Sequence, residues 1–475
     1  MPPLNVLKDV VKRYPELVIE KENKKLFCPL CSTGITWDSK HGASNVRSHC
    51  KGKKHQEALQ KRIKKQQPIT TALSRGRDIK KDKESLHLFT VEKLIQANIP
   101  LFKIENVAFK QLLEELSGQI MPHSTTLRLK VDEIYMKTMK KIEEEINEND
   151  IYLMIDETQD IKGRFVCNVL VGILNGKPSN SMLIKVNFLK EVNNQTISQT
   201  VDEVCGLIWG KKKKFGKLLL IISDQASYML TAVKSIKSTQ MYPSLHHITC
   251  LAHALHRVCE IIRSENDEVN KIISCMKKVL KKSNKRKMQF RNLTGLPLPP
   301  EVVITRWGSW LEAVFYFGHN FDLIRKFILN LKDKSKAITE SKQLIKEPNL
   351  KLKILELIQY DYLPEAIKKL ETKQLKADEQ IQIVEDVKAK LIGKPLQKLC
   401  NSLNKNPDYY KIRSLDNQMK YLFNTLYAPM VSCDVERSFS LYKTLLNDRR
   451  TSFTEDSIEK YMIVYYNSFL FNESD

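Results

Sequence analysis

The chain has 475 residues, with 78 Lys and Arg against 55 Asp and Glu, so its formal net charge is +23. A surplus of that size argues for a polyanionic partner, nucleic acid above all, because lysine and arginine contacts to phosphates supply most non-specific affinity. No membrane partner is expected, since no apolar run is long enough to span a bilayer and Met1-Pro2-Pro3-Leu4 does not read as a signal peptide.

The length suits about two to four domains with a sizeable core. Only 15 glycines leave few tight turns, so helix should dominate. Ten scattered cysteines point to a reducing compartment, as metal ligands or buried thiols. Residues 1–25 are polar and basic with no clear period. Then comes Phe27-Cys28-Pro29-Leu30-Cys31, followed by His49 and His55, in the spacing C-x2-C-x17-H-x5-H. Two thiolates on a knuckle and two imidazoles on a helix close a tetrahedral shell for a structural Zn²⁺. The helix is predicted over Ser44–Gln60, with Cys50 and His41 as spare ligands in another register. In a DNA groove it sets Ser44, Asn45, Arg47 and Ser48 near base edges and Lys51, Lys53 and Lys54 on phosphates. The bland reading is four unrelated residues.

Basic clusters continue through Lys61-Arg62-Ile63-Lys64-Lys65, Arg75-Gly76-Arg77 and Lys80-Lys81. They read as a solvated linker that extends phosphate contacts and serves as a nuclear import signal. Beyond it, Ala108, Leu112 and Leu116, then Leu127, Val131 and Tyr135, then Met139, Ile142 and Ile146 recur at helical spacing.

Two short apolar runs that each end in an aspartate organise the rest: Ile151–Ile155 before Asp156, and Leu218–Ser223 before Asp224. Such runs read as strands buried on both faces, and a side chain just past their carboxyl ends points into a ligand crevice. In parallel neighbouring strands the two carboxylates face each other and call for Mg²⁺ or Mn²⁺, which can activate water and stabilise a leaving 3′-oxygen. The bland reading is that each aspartate caps the segment after its strand. Phe165–Leu174 and Met182–Leu189 read as further strands, Thr196–Trp209 and Ala226–Lys237 as helices, and His247–Cys250 as a last short strand. That order is the order of a ribonuclease-H-like fold, in which the first and fourth strands are parallel neighbours.

Residues 20–135 resemble the CGG-triplet-repeat-binding proteins, zinc-finger DNA binders derived from hAT-family transposases. The likeness lies in Phe27–Cys31, Gln96-Ala97-Asn98-Ile99-Pro100-Leu101 and Met121-Pro122-His123-Ser124 with Leu127-Arg128. It implies DNA binding in the nucleus, not catalysis. Residues 150–470 resemble hAT transposases themselves. The marks, in family order, are Ile155-Asp156-Glu157, Ser223-Asp224-Gln225-Ala226, Cys250-Leu251-Ala252-His253, Thr305-Arg306-Trp307, and Val431–Ser440 with Asn447–Thr454. The resemblance implies that Asp156, Asp224 and Glu436 hold the divalent metals for strand cleavage and joining. It also implies that Trp307 stacks on a flipped base and that Arg306 and His253 contact phosphates near the scissile bond. The bland reading makes the tryptophans core anchors, Trp310 among them, and packs Cys250 and His253 on an apolar helix. The basic run 277–287 reads as a DNA-facing segment or a second import signal. The apolar stripe from Ile458 to Tyr465 forms a dimer contact in the family, or packs on its own sheet.

The predicted architecture is α/β plus α. A ribonuclease-H-like core (149–250 and 416–475) is interrupted by an all-α insertion (251–415). It is preceded by a zinc finger (1–66), a basic linker (67–83) and a helical dimerisation or DNA-binding domain (84–148). The predicted function is an hAT-type transposase that binds double-stranded DNA at element ends, as a homodimer or higher oligomer in the nucleus. Its predicted metals are structural Zn²⁺ and catalytic Mg²⁺ or Mn²⁺. The second reading is a captured, non-catalytic DNA-binding regulator.

Overall fold

A computed structural model describes residues 4–20, 25–36, 43–59, 83–210, 214–239, 241–281, 283–303, 308–333, 335–413, 424–446 and 453–471. The chain divides into two compact units, Met1–Val91 with Leu101–Arg128, and Glu92–Pro100 with Leu129–Asp475. Among the described residues no helix is long and apolar enough to cross a membrane.

The first unit begins with an element the sequence reading missed. Helix α1 (Leu4–Arg13) buries Leu7 and Val10, which are three residues apart and share a face. They join Leu17, Leu26, Ile35, Val46, Cys28 and Cys50 in one small core. Strands β1 (Val18–Glu20), β2 (Lys25–Cys28) and β3 (Thr33–Ile35) form an antiparallel meander under it. Helices α2 (Ser44–Lys51) and α3 (53–59) follow, divided at Gly52 where one continuous helix was predicted. Helix α4 is Lys83–Gln96. In α5 (Val107–Ser117) Asn106 caps the start by accepting from the Phe109 N–H, and Gly118 closes the end in the left-handed conformation. The repeat Ala108–Leu112–Leu116 does mark this helix, yet α5 buries no side chain. Next to it lies α6 (Ser124–Arg128), whose Ser124 N–H donates to Glu105 Oε1 at 2.7 Å.

The second unit is built on a five-stranded sheet of β4 (Asp150–Gln159), β5 (Phe165–Leu174), β6 (Met182–Leu189), β7 (Leu218–Ser223) and β8 (His246–Thr249). The order is β6-β5-β4-β7-β8, with β4 parallel to β7 and β7 parallel to β8. The two runs that end in aspartates are therefore adjacent and parallel. Helices α7 (Val131–Ile146), α8 (Asn194–Trp209), α9 (Ser227–Ser238) and α10 (Leu251–Ser264) surround or leave the sheet, and α8 opens on an Asn193–Thr196 capping box. From Asp267 to Arg413 the described chain is helical, around Phe290, Phe317, Phe327 and a fully buried Trp310, the core anchor the sequence suggested. The chain then returns to the sheet through the helix Cys433–Leu445 and the C-terminal helix Glu455–Phe471, which packs on β6 and α7.

Both sheet edges are closed by asparagine side chains, each standing in for a missing strand. On β8 the Thr249 N–H donates to Asn406 Oδ1 (3.0 Å) and Asn406 Nδ2 donates to the Thr249 carbonyl (2.9 Å). Asp408 completes that edge by accepting from the His247 N–H at 2.7 Å. Burial would raise the Asp408 carboxyl, but Lys237 at 2.5 Å, the His247 N–H and Lys411 outweigh it and hold it below the ordinary range. On β6 the Leu183 N–H and carbonyl are taken by Asn467 of the C-terminal helix at 3.0 and 2.8 Å.

Gly172 is required by a cross-strand partner. It pairs with Tyr152, and a Cβ at position 172 would lie 2.2 Å from the Tyr152 ring. That ring is buried and its hydroxyl bonds Ser181 at 3.0 Å. Gly172→Ala is expected to destabilise the second unit by roughly 1–3 kcal/mol, read from denaturant midpoints at unchanged slope. A wild-type midpoint would refute the packing argument.

Candidate metal centres

In the first unit the four predicted zinc ligands come together. Cys28, Cys31, His49 and His55 present ligand atoms that all lie within 4.8 Å of one another. His55 Nδ1 is 3.4 Å from Cys28 Sγ, 3.5 Å from Cys31 Sγ and 3.2 Å from His49 Nε2. Zinc–nitrogen and zinc–sulfur bond lengths in a tetrahedron require separations of about 3.3–3.8 Å, so these residues fit Zn²⁺. The helix break makes this possible. Six residues along a continuous α-helix turn 600°, which sets positions 49 and 55 on different faces. At Gly52 the backbone is extended (φ −64°, ψ 141°), and His55 swings back to the knuckle. Burial, and then His55, hold His49 below the usual imidazole range, the neutral state a ligand needs. Cys50 is buried, burial followed by Glu16 pushes its thiol up to about 11, and it is not one of the four residues whose ligand atoms come together. His41 lies outside the described residues.

Opposite buried Val46 and Cys50, α2 exposes Ser44, Arg47, Ser48 and Lys51 at i, i+3, i+4 and i+7, with Lys53 and Lys54 exposed beyond the break. Asn45, also predicted near bases, instead donates to the Thr36 carbonyl at 3.3 Å. The basic clusters of 61–81 lie outside the described residues.

In the second unit, Asp156 is not past the end of its strand. The parallel ladder with β7 ends at Met154, but β4 runs on to Gln159 paired with β5, so Asp156 stands inside the β4–β5 hairpin, opposite Asn168. Asp224 directly follows β7, and its Oδ1 accepts from the Ala226 N–H at 2.9 Å, the local turn the bland reading anticipated. Glu436 sits in the first turn of Cys433–Leu445, where the helix dipole favours a carboxylate. Three polar contacts hold that helix on the sheet. Asn168 Nδ2 donates to Ser438 Oγ (2.7 Å), Ser181 Oγ to Asp434 (2.8 Å), and the Tyr442 hydroxyl to Asp160 (3.0 Å). Asn168, the cross-strand neighbour of Asp156, thereby ties the Glu436 helix to the strand at the level of Asp156.

Burial raises the Asp156 carboxyl well above the ordinary range; His253 opposes the shift, and Glu157, Asp224 and Glu436 add to it. Asp156 therefore feels the charge of both other predicted acids. The three do not all lie within 4.8 Å: among the described residues only the finger ligands and the set Glu16, Cys50 and His55 do. His253 Nε2 lies 3.6 Å from Glu436 Oε1. Burial would lower the His253 imidazole, but Cys250, Glu436 and Asp156 push it up to about 10. A histidine whose folded value is raised contributes stability that is fully present below its unfolded value near 6.5 and is lost as pH rises through about 10. Burial would raise the Cys250 thiol, but the same contact with His253, together with Ser432, holds it below its ordinary value. Near pH 7–8 the pair therefore binds as many protons folded as unfolded, and the loss falls between about pH 9 and 10. Over that interval metal-free protein should lose thermal stability more steeply than His253→Gln. Parallel pH profiles for the two proteins would contradict this.

Neighbours given no role by the sequence, or only a motif place, also line this region. Glu157 accepts from the Tyr228 hydroxyl, and Arg257 donates to Gln225 Oε1 at 2.6 Å, which sets a cation beside the residue after Asp224. Asn168 was detectable as the lone amide in Phe165-Val166-Cys167-Asn168-Val169-Leu170. Cys250 is buried and accepts from the Ser432 N–H at 3.2 Å. In the basic run, Lys277 pairs with Glu301 and Arg286 with Asp333, while Lys278, Lys281 and Lys285 are exposed. Arg306, Trp307 and the segment 447–452 lie outside the described residues.

A family described as a domain of unknown function (DUF659) matches residues 121–283, about a third of the chain. No curated protein matches. Among solved structures, the Drosophila P element transposase strand transfer complex aligns over 85% of this chain and 98% of that one, at 14% identity and a TM-score of 0.40.

Proposed function

We propose that the chain is an hAT-type DNA transposase. Its zinc finger binds element ends, and its ribonuclease-H-like core cuts and joins DNA as a homodimer or higher oligomer in the nucleus. The observation that carries the reading is the convergence on Asp156: parallel β4 and β7 are neighbours, and the Asn168–Ser438 bond seats the Glu436 helix at the same level, so Asp156 feels the charge of Asp224 and of Glu436. Carboxylates with the charge coupling seen here suit hard divalent cations such as Mg²⁺ or Mn²⁺. When bound, such ions supply an activated water or 3′-hydroxyl and neutralise the leaving oxygen. The protein's own part is to hold the three acids on two strands and one helix, and to keep a proton on His253 beside Glu436, where a scissile phosphate would meet a positive charge. Arg306 and Trp307 are assigned phosphate and base contacts by the motif resemblance alone.

The test incubates the full chain with labelled duplexes carrying candidate terminal repeats, with Mg²⁺ or Mn²⁺, beside Asp156→Ala. Metal-dependent cleavage that disappears in the variant supports the enzyme. Sequence-specific binding without cleavage by either protein would instead support the captured DNA-binding regulator.

A further inference from the structure

We infer that Glu16 is the carboxylate that orients His55 in the zinc shell. The inference rests on the zinc reading of the finger and adds a residue outside the Cys–His motif. His55 Nδ1 is the nitrogen that meets Cys28, Cys31 and His49, at 3.2–3.5 Å. For Nδ1 to act as a ligand the ring must be neutral, with its proton on Nε2. Metal-bound histidines give that second N–H to a carboxylate, a carbonyl or water, which fixes the tautomer and the plane of the ring. His55 is only 2% exposed, so bulk water is a poor partner. Glu16 is the carboxylate at hand: it, Cys50 and a ring nitrogen of His55 all lie within 4.8 Å of one another.

The source of Glu16 is informative. It stands in the turn between α1 and β1, and α1 is seated on the finger core through Leu7 and Val10. That helix-turn segment thus has a role beyond covering apolar surface: it carries the acid to the metal's outer shell. It also accounts for the unusual register. With x5 between the histidines and a break at Gly52, His55 reaches the knuckle through Nδ1 rather than from a regular helical turn, so its ring needs an external partner.

The test measures apparent Zn²⁺ affinity of the full chain by competition with a chelating dye, for wild type, Cys31→Ser, Glu16→Gln and Glu16→Ala. Circular dichroism at saturating zinc confirms the fold. Glu16→Ala is expected to bind Zn²⁺ about 10–100-fold more weakly at unchanged stoichiometry. Glu16→Gln, which keeps an acceptor but not the charge, should fall between it and wild type. Wild-type affinity in Glu16→Ala overturns the inference. If the alanine variant does not fold, Glu16→Gln decides: several-fold weakening supports the role and an unchanged affinity overturns it. Failure of the zinc reading itself looks different, because wild type would then bind zinc no better than Cys31→Ser.

Discussion

Cys31→Ser, or removal of zinc by chelation, is expected to unfold the finger and abolish sequence-specific DNA binding while leaving salt-sensitive non-specific binding in place. The finger's own core is small: eight buried residues, two of them cysteines, drawn from helices α1 and α2, strands β2 and β3 and the turn at Leu17. A core of that size cannot offset the backbone entropy of so many loops without a cross-link. Structural zinc supplies about 10–16 kcal/mol in isolated fingers, well above what such a core offers. The exposed row Ser44, Arg47, Ser48 and Lys51 exists as a row only while α2 is held against Val46 and Cys50. Without it, base readout goes. The chain's +23 charge remains, and with it the phosphate affinity. Salt titrations of binding to a selected site and to random duplex, with and without chelator, separate the two. Equal loss on both duplexes would show that the finger contributes only charge.

What the sequence disclosed, and what it hid, divides along physical lines. Long, largely apolar strands with sharp ends announce themselves: Phe165–Leu174 and Met182–Leu189 have the observed limits, because a polar residue flanks each end, Arg164 and Asn175 for the first and Ser181 and Lys190 for the second. The adjacency of β4 and β7 was inferred from element order, not from any residue in either strand, and depended on the ribonuclease-H-like analogy. The exact station of Asp156 was not legible. Whether a strand stops at its last apolar residue depends on a partner, and here β5 carries β4 five residues past the point where β7 leaves it. The break at Gly52 could have been foreseen, since two histidines six apart cannot share a helix face. Helix α1 could have been too, from Leu7, Val10 and Val11. Asn406 and Asn467 were beyond reach. An asparagine that closes a sheet edge has no local pattern, because its partners lie 157 and 284 residues away.

Asp156→Asn should move activity and stability in opposite directions. The carboxyl is disfavoured as an anion: burial raises it, Glu157, Asp224 and Glu436 add to the rise, and His253 only partly offsets them. Replacing it by a neutral isostere removes one repelling charge from a crowded site, and about 0.5–2 kcal/mol of added stability is expected in metal-free protein. On the proposed nuclease function, cleavage should fall by about 10³-fold or more, since losing a ligand would uncouple the metals from the phosphate they are to polarise. The two effects separate further on adding Mg²⁺. A protein that binds the ion only when folded gains about 2.7 kcal/mol at a hundred times its Kd, and the variant forgoes that gain. Melting curves with and without Mg²⁺ should therefore cross: the variant melts higher without the ion, and wild type melts higher with it. The geometry of a strand pair and one helix could serve a scaffold as well, but a scaffold has no use for charges that weaken it. If Mg²⁺ raises both melting points equally, or if the variant is the less stable protein without it, the acids are not a metal site and the nuclease reading fails.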